Sequence, residues 1–474
     1  MSNLIPRSPP TPSDIPNYDT GDISYILMST LCVFLMIPGL GFLYSGLARR
    51  KSALSMIWLC LMAGCVAMFQ WYFWGYSLAF SPTATNRFIG NLHHFALRNA
   101  FDPKDYDGLP TLLIATYQGM FCAVTCAILM GGTAERGRLF PALLFVFCWA
   151  TLVYCPLAYW AWGPDGWAGA NWSVLDYAGG GPVEIGSGVG GMAFALCVGR
   201  RKEKLLLNFR PHNVSMVTLG TALLWFGWLG FNGGSAGGAD LRAVYAVWNS
   251  NITAVFGAFA WCLLDWRLER KWSCVAVCSG IISGLVAATP CSGVIPLWGS
   301  MVLGIVSAVV CNYSTQLKYI LRIDDSMDTL AEHGIAGIIG LIFNAFFGAS
   351  WVIGLDGHTV SEGGWLTNNW KQIYKQIAYT AACVGWTAVV TVIIAFVIDQ
   401  IPGCALRVSE DGEARGVDED QIGEFAYDYV EVRRDYLSWA PPVVHEGSRP
   451  SGSGSGPSGA GSIEEAEKIR SVDV

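Results

Sequence analysis

The sequence predicts an all-α integral membrane protein with eleven transmembrane helices. Three observations carry this. Apolar residues make up 53% of the 474 residues and charged residues only 14%, which excludes an ordinary soluble domain. Apolar runs of roughly 20 residues, enough to cross a bilayer, recur along the chain. Within them apolar and polar positions do not alternate, so the strands of a membrane barrel are excluded.

The first span, near 24–48, follows a polar, Pro- and Ser-rich stretch (residues 1–23) with no basic region ahead of a short apolar core, so it reads as its own insertion signal. The next three lie near 52–80, 110–133 and 138–161. A fifth, near 182–199, is Gly-rich and carries Glu184. Spans follow near 212–235, 243–266, 273–290 and 293–313; a tenth near 330–350 carries His333, and an eleventh covers 376–401. The loops that fall on one side hold most of the cations, among them Arg49, Arg50, Lys51, Arg136, Arg200, Arg201, Arg267, Arg270 and Lys271. By the positive-inside rule that side is cytosolic, with the N-terminus outside and the C-terminus inside.

The fifteen cysteines fall almost entirely within apolar spans, where they act as small hydrophobes. Cys122 and Cys126, like Cys274 and Cys278, are one helical turn apart without a His or carboxylate at ligand spacing, so no metal or other cofactor is expected. No nucleophile–base pair suggests an enzyme. Of four N-x-S/T matches only Asn171 falls on the outer side. Residues 402–445 mix polar residues with Phe425, Tyr427, Tyr429, Tyr436 and Trp439, the pattern of a cytosolic segment docked on the membrane domain of residues 24–401. Residues 446–474 read as a disordered tail, where Ser448 and Ser451 are candidate sites for a cytosolic kinase.

Glu184 and His333 are the candidates for chemistry, because ionisable groups at membrane depth mark a transport path or proton relay. In contact they could share a proton; a purely structural buried hydrogen bond is the competing reading. Gly follows each at the fourth and seventh positions (Gly188, Gly191; Gly337, Gly340), and an acid precedes each, at Asp176 and Asp328. That likeness suggests two inverted five-helix repeats followed by the eleventh helix. A second register aligns Glu184 with Glu332. Trp162 ends the fourth span, where a ring face can attract a cation.

Six ordered blocks extend this reading: IPGLGFLYSGLARRKSALSM (37–56), YQGMFCAVTCAILMGGTAERGRLFP (117–141), LDYAGGGPVEIGSGVGG (175–191), GWLGFNGGSAGG (227–238), CSGIISGLVAATPCSG (278–293) and DDSMDTLAEHGIAGIIG (324–340). They resemble the ammonium transporter family (Amt/Mep/Rh), in its fungal methylammonium permease branch. The resemblance implies a homotrimeric plasma-membrane transporter, one pore per subunit, that takes up ammonium and methylammonium. It implies an outer recruitment site at Trp162, Phe121 and Ser235, supported by Asp176. Phe121 and Phe231 become stacked gates, and Trp228 lines the pore beside His333. Where the family has a first pore histidine this chain has Glu184, and Glu332 adds an acid that faces either the inner pore or the subunit surface. In the tail, RGVDEDQIGEFAYDY (415–429) is similar to a regulatory motif, with Ile422 where a His is common. The resemblance also leaves room for an ammonium sensor, or for an electroneutral ammonia or carbon dioxide channel as in the Rh branch.

Overall fold

The computed structural model describes residues 18–100, 108–202 and 210–427. Residues 1–17 and 428–474, with Tyr429, Tyr436, Trp439, Ser448 and Ser451, lie outside the described residues. The described part is helical, and its only β feature is an isolated bridge between Gly137 and Arg407.

Among the described residues ten helices are long and apolar enough to cross a membrane: α1 (Thr20–Leu47), α2 (Arg50–Phe80), α3 (Thr111–Thr133), α4 (Leu139–Asn171), α5 (Gly180–Val198), α6 (Val214–Gly234), α7 (Leu241–Glu269), α9 (Leu297–Ile320), α10 (Leu330–Phe347) and α11 (Gln372–Asp399). A shorter apolar helix, α8 (Cys274–Ala288), stands where the sequence predicts the eighth span. Polar residues start several of them. Asp19 caps the first amides of α1, Asn213 those of α6, Asp240 those of α7 and Ser273 those of α8. Each side-chain oxygen satisfies an amide that has no partner inside the helix.

Small residues let the helices approach closely. α7 meets α8 through Gly257 and Gly280; a Cβ on Gly280 would lie 2.5 Å from the Gly257 carbonyl. α5 crosses α10 in the same way, with a Cβ on Gly188 falling 2.1 Å from the Gly334 amide. That crossing sets the depth at which the fifth and tenth predicted spans meet.

The two crossing helices start alike. Each opens with a wide π-helical turn, Gly180–Ile185 in α5 and Leu330–Ile335 in α10. Ahead of each an aspartate binds the free amides. Asp176 accepts from Gly179, Gly180 and Gly181; Asp325 accepts from the amides of Thr329 and Leu330 and from the Thr329 hydroxyl. The counterpart of Asp176 is therefore Asp325, not Asp328. Asp328 instead pairs with Lys318 at 2.7 Å. Asp176 and Asp325 share the 149-residue separation of Glu184 and His333, which settles the register in favour of Glu184 with His333 over Glu332.

On one end of the bundle, loops and tail lock together through buried ions. Arg201 binds Asp324 at 2.8 Å and Glu135 at 2.6 Å, with all three side chains buried. Arg49 reaches the same Glu135. From the tail, Glu413 accepts from Arg407 at 2.8 Å, and Asp418 accepts from the amides of Leu54 and Ser55 at 3.0 and 2.7 Å, near the start of α2. Burial alone would raise the Asp324 pKa; hydrogen bonds and charge from Arg201, with the charge of Arg136, overcome this and hold it at about 2. Of the aromatic anchors predicted for this segment, Phe425 is 52% exposed and Tyr427 half-buried, while Leu406, Val408, Glu413, Val417 and Asp418 are buried.

Candidate functional site

The predicted residues form a file through the bundle. At one end Trp162 terminates the packed part of α4, and its indole N–H donates to the Asp176 carbonyl at 3.3 Å. Gly179, at φ 115°, leaves room for that ring, since a Cβ there would lie 3.0 Å from it. Phe121 of α3 stands edge-on to Trp162, with ring centroids 6.2 Å apart. Ser235 follows the last turn of α6, and its hydroxyl donates to the Phe231 carbonyl at 2.9 Å. The proton is thus engaged within the helix and the oxygen lone pairs remain free to accept.

Below these groups Phe121 and Phe231 stack at 3.9 Å with planes 26° apart, both buried. Trp228, one turn earlier on α6, lies 6.1 Å from Phe231 and 6.4 Å from His333, nearly parallel to the imidazole. Its indole N–H is fixed by the Thr289 hydroxyl at 2.9 Å. The file ends at the crossing of α5 and α10. There His333 Nδ1 lies 2.9 Å from Glu184 Oε2, with Glu184 fully buried and His333 nearly so. Gly337 allows this approach, because a Cβ on it would fall 2.7 Å from the Glu184 Cβ. The second oxygen, Glu184 Oε1, is buried with no hydrogen-bond partner among the described residues.

Asp176 has a different character. Its oxygens accept from three glycine amides and from the Tyr379 hydroxyl at 2.9 Å. Four donors fill the acceptor capacity of a carboxylate, so Asp176 organises the turn and offers nothing to a passing cation. Gln376 and Asn344 hold the same segment by its Leu175 backbone.

Two residues of the site were not singled out from the sequence. Tyr117, one turn before Phe121, donates to the Phe231 carbonyl at 2.6 Å and lies 3.5 Å from the Ser235 hydroxyl. Its ring stands 4.9 Å from Phe121. The spacing in YQGMF is the signal that places it on the same helix face. Tyr379, on the last long helix, is the other. Glu332 joins neither the pore nor an exposed surface; it is buried towards α8 and α9, within reach of the Ser279 hydroxyl. Asn171 points its amide into its own loop, at Asp165 and Gly166. All fifteen cysteines are free thiols, and among the described residues no three His, Cys, Asp or Glu side chains gather to hold a metal ion.

From Trp162 the file runs through ring faces and a hydroxyl oxygen, a closed aromatic pair, and a carboxylate–imidazole pair. A model of the Ammonium Transporter Family matches residues 24–427. The chain is 60% identical to ammonium transporter MEP3 of Saccharomyces cerevisiae over 424 residues, covering 89% of this chain and 86% of the relative. Ammonium transporter MEP1 of the same yeast is 61% identical over the same shares. The crystal structure of Saccharomyces cerevisiae Mep2 superposes with a TM-score of 0.81 at 44% identity, covering 87% of this chain and 92% of that one. The chain belongs to the ammonium transporter family.

Proposed function

We propose that this member of the ammonium transporter family carries ammonium and methylammonium across the plasma membrane, moving net charge as it does so. The observation that carries the proposal is the unbroken file from Trp162 through Phe121 and Phe231 to the His333–Glu184 contact. Ammonium loses water at Trp162, Phe121 and Ser235, where ring faces attract the cation and the Ser235 oxygen accepts an N–H. Potassium has no N–H to direct at that oxygen, so it gains less. The stacked rings of Phe121 and Phe231 then admit the substrate without its hydration shell. Beyond the gate ammonium gives up its proton to the Glu184–His333 pair; ammonia crosses the apolar pore past Trp228, and the proton passes separately along Glu184 and His333. The place of the Glu184–His333 contact at the end of this file supports a relay over a purely structural pair.

The same reading makes α8 the eighth of eleven crossings, with the N-terminus outside and the C-terminus inside, and groups three chains around separate pores. Residues 402–445 form the docked regulatory segment, and 446–474 the tail on which a cytosolic kinase or other regulator acts. Ammonium-evoked current in liposomes holding the purified protein tests the function, with potassium as control and Glu184→His alongside. The expected result is current with ammonium and none with potassium. Ammonia flux without current would replace this proposal with a neutral gas channel; neither current nor flux would replace it with a sensor.

A further inference from the structure

Helix α7 is 29 residues long, about 43 Å at the rise of an α-helix, against about 30 Å of hydrocarbon. Its last turns and the link to α8 therefore stand at headgroup level. That link collects three exposed cations in five residues, Arg267, Arg270 and Lys271, against a single exposed acid, Glu269. The other nearby acid, Asp265, accepts from Asn312 of α9 at 2.9 Å. None of the three cations has an ion pair among the described residues.

Their surroundings are those of an interface and not of open water. Trp266 and Trp272 stack at 5.5 Å with planes 19° apart. Arg270, in the left-handed region at φ 56°, ends α7 with its guanidinium 5.1 Å above the Trp266 ring. A non-glycine residue adopts that conformation at a cost, and here it folds the cation back onto the indole. Leu268 and Trp272 are 74% and 69% exposed beside these charges. Large apolar side chains interleaved with uncompensated cations suit a surface that is both apolar and negative.

We propose that the α7–α8 link binds the phosphate-bearing headgroup of an anionic phospholipid in the cytosolic leaflet. Arg267, Arg270 and Lys271 meet the headgroup charge, and Trp272 and Leu268 enter the upper acyl region. The proposal rests on the reading that this end of the bundle is cytosolic, where anionic lipids concentrate.

The test is native mass spectrometry of the full-length protein with phosphatidylserine or phosphatidylcholine added. The wild type is compared with a triple variant, Arg267→Gln, Arg270→Gln and Lys271→Gln, and with a charge-keeping triple, Arg267→Lys, Arg270→Lys and Lys271→Arg. Expected is retention of phosphatidylserine about ten-fold tighter than phosphatidylcholine by the wild type and the charge-keeping variant, and no preference in the glutamine variant. Equal retention by the wild type, or an undiminished preference in the glutamine variant, overturns the proposal. A glutamine variant that changes the number of chains per particle with its lipid preference intact assigns the link to a protein contact and overturns it too. Detection of a peptide tag inserted after Lys271 from outside intact cells would put the link in the wrong leaflet. Loss of ammonium current in the wild type would count against the transport function and leave the lipid result standing.

Discussion

Two regions of this molecule bury ions, and they do it in opposite ways. At the looped end, Arg201 stands between Asp324 and Glu135, Arg136 donates to backbone carbonyls, and Glu413 and Asp418 arrive from the tail to fill further donors. At the crossing of α5 and α10, one contact joins Glu184 to His333, and a carboxylate oxygen is left over. A buried ion whose bonds are all made is fixed in place, because removing any partner strands the others. A buried carboxylate with a single ionisable partner is held by less. The first arrangement suits a scaffold; the second suits the relay proposed above.

The largest effect expected from this contrast is on stability. Arg201→Ala removes the partner that Glu135 and Asp324 share, leaving Glu135 to Arg49 and Asp324 to the charge of Arg136, and should cost about 3 kcal/mol, read as a large drop in the thermal unfolding midpoint of the purified protein. An unchanged midpoint would break the comparison at its structural end. Glu184→Ala should do the reverse, lowering ammonium current about 100-fold while the unfolding midpoint stays within a few degrees. Glu184→His should retain current with a shifted pH profile; identical profiles for the wild type and both variants would dissolve the distinction.

Acid should find the looped end first. Asp324 has a folded pKa depressed to about 2, so its contribution is fully present above the unfolded carboxylate value and is lost as pH falls from about 4 towards 2. The loss is of the order of 2 kcal/mol. Unfolding midpoints measured across that window should fall, and Asp324→Asn should flatten the dependence. The smallest effect concerns the tail. Asp418→Ala removes two bonds to the start of α2 and should cost about 1 kcal/mol, seen as faster proteolysis after residue 402 with the bundle intact. Tail cleavage at the wild-type rate would mean that Glu413 and Val417 hold the segment alone.

The two regions also differ in how much of them the sequence exposes to reading. The spans are visible because an apolar run of bilayer length has few alternatives, and α8 is the least regular match because close packing against α7 needs no long helix. Glu184 and His333 stand out because ionisable residues in apolar runs are rare. The scaffold cluster is nearly invisible: its partners at positions 49, 135, 201 and 324 come from four separate loops and that at 413 from a short tail helix, and no local pattern joins them. Asp325 shows the limit within a single motif. Three acids lie in DDSMD, and only the amides of the following turn decide that Asp325 binds them while Asp328 turns to Lys318. Phe425 misleads because an aromatic residue in a polar segment reads as an anchor until the fold leaves it exposed.

The stacked pair of Phe121 and Phe231 has a consequence for speed. On the path proposed above, the barrier at their 3.9 Å contact is two side chains and no backbone element. A valve of that kind opens when rings swing and requires no rocking of whole domains. Transport through such a barrier needs no return stroke of an empty carrier. Its turnover is then set by how often a naked substrate reaches the rings, and it should saturate with occupancy of the outer site instead of with the period of a conformational cycle.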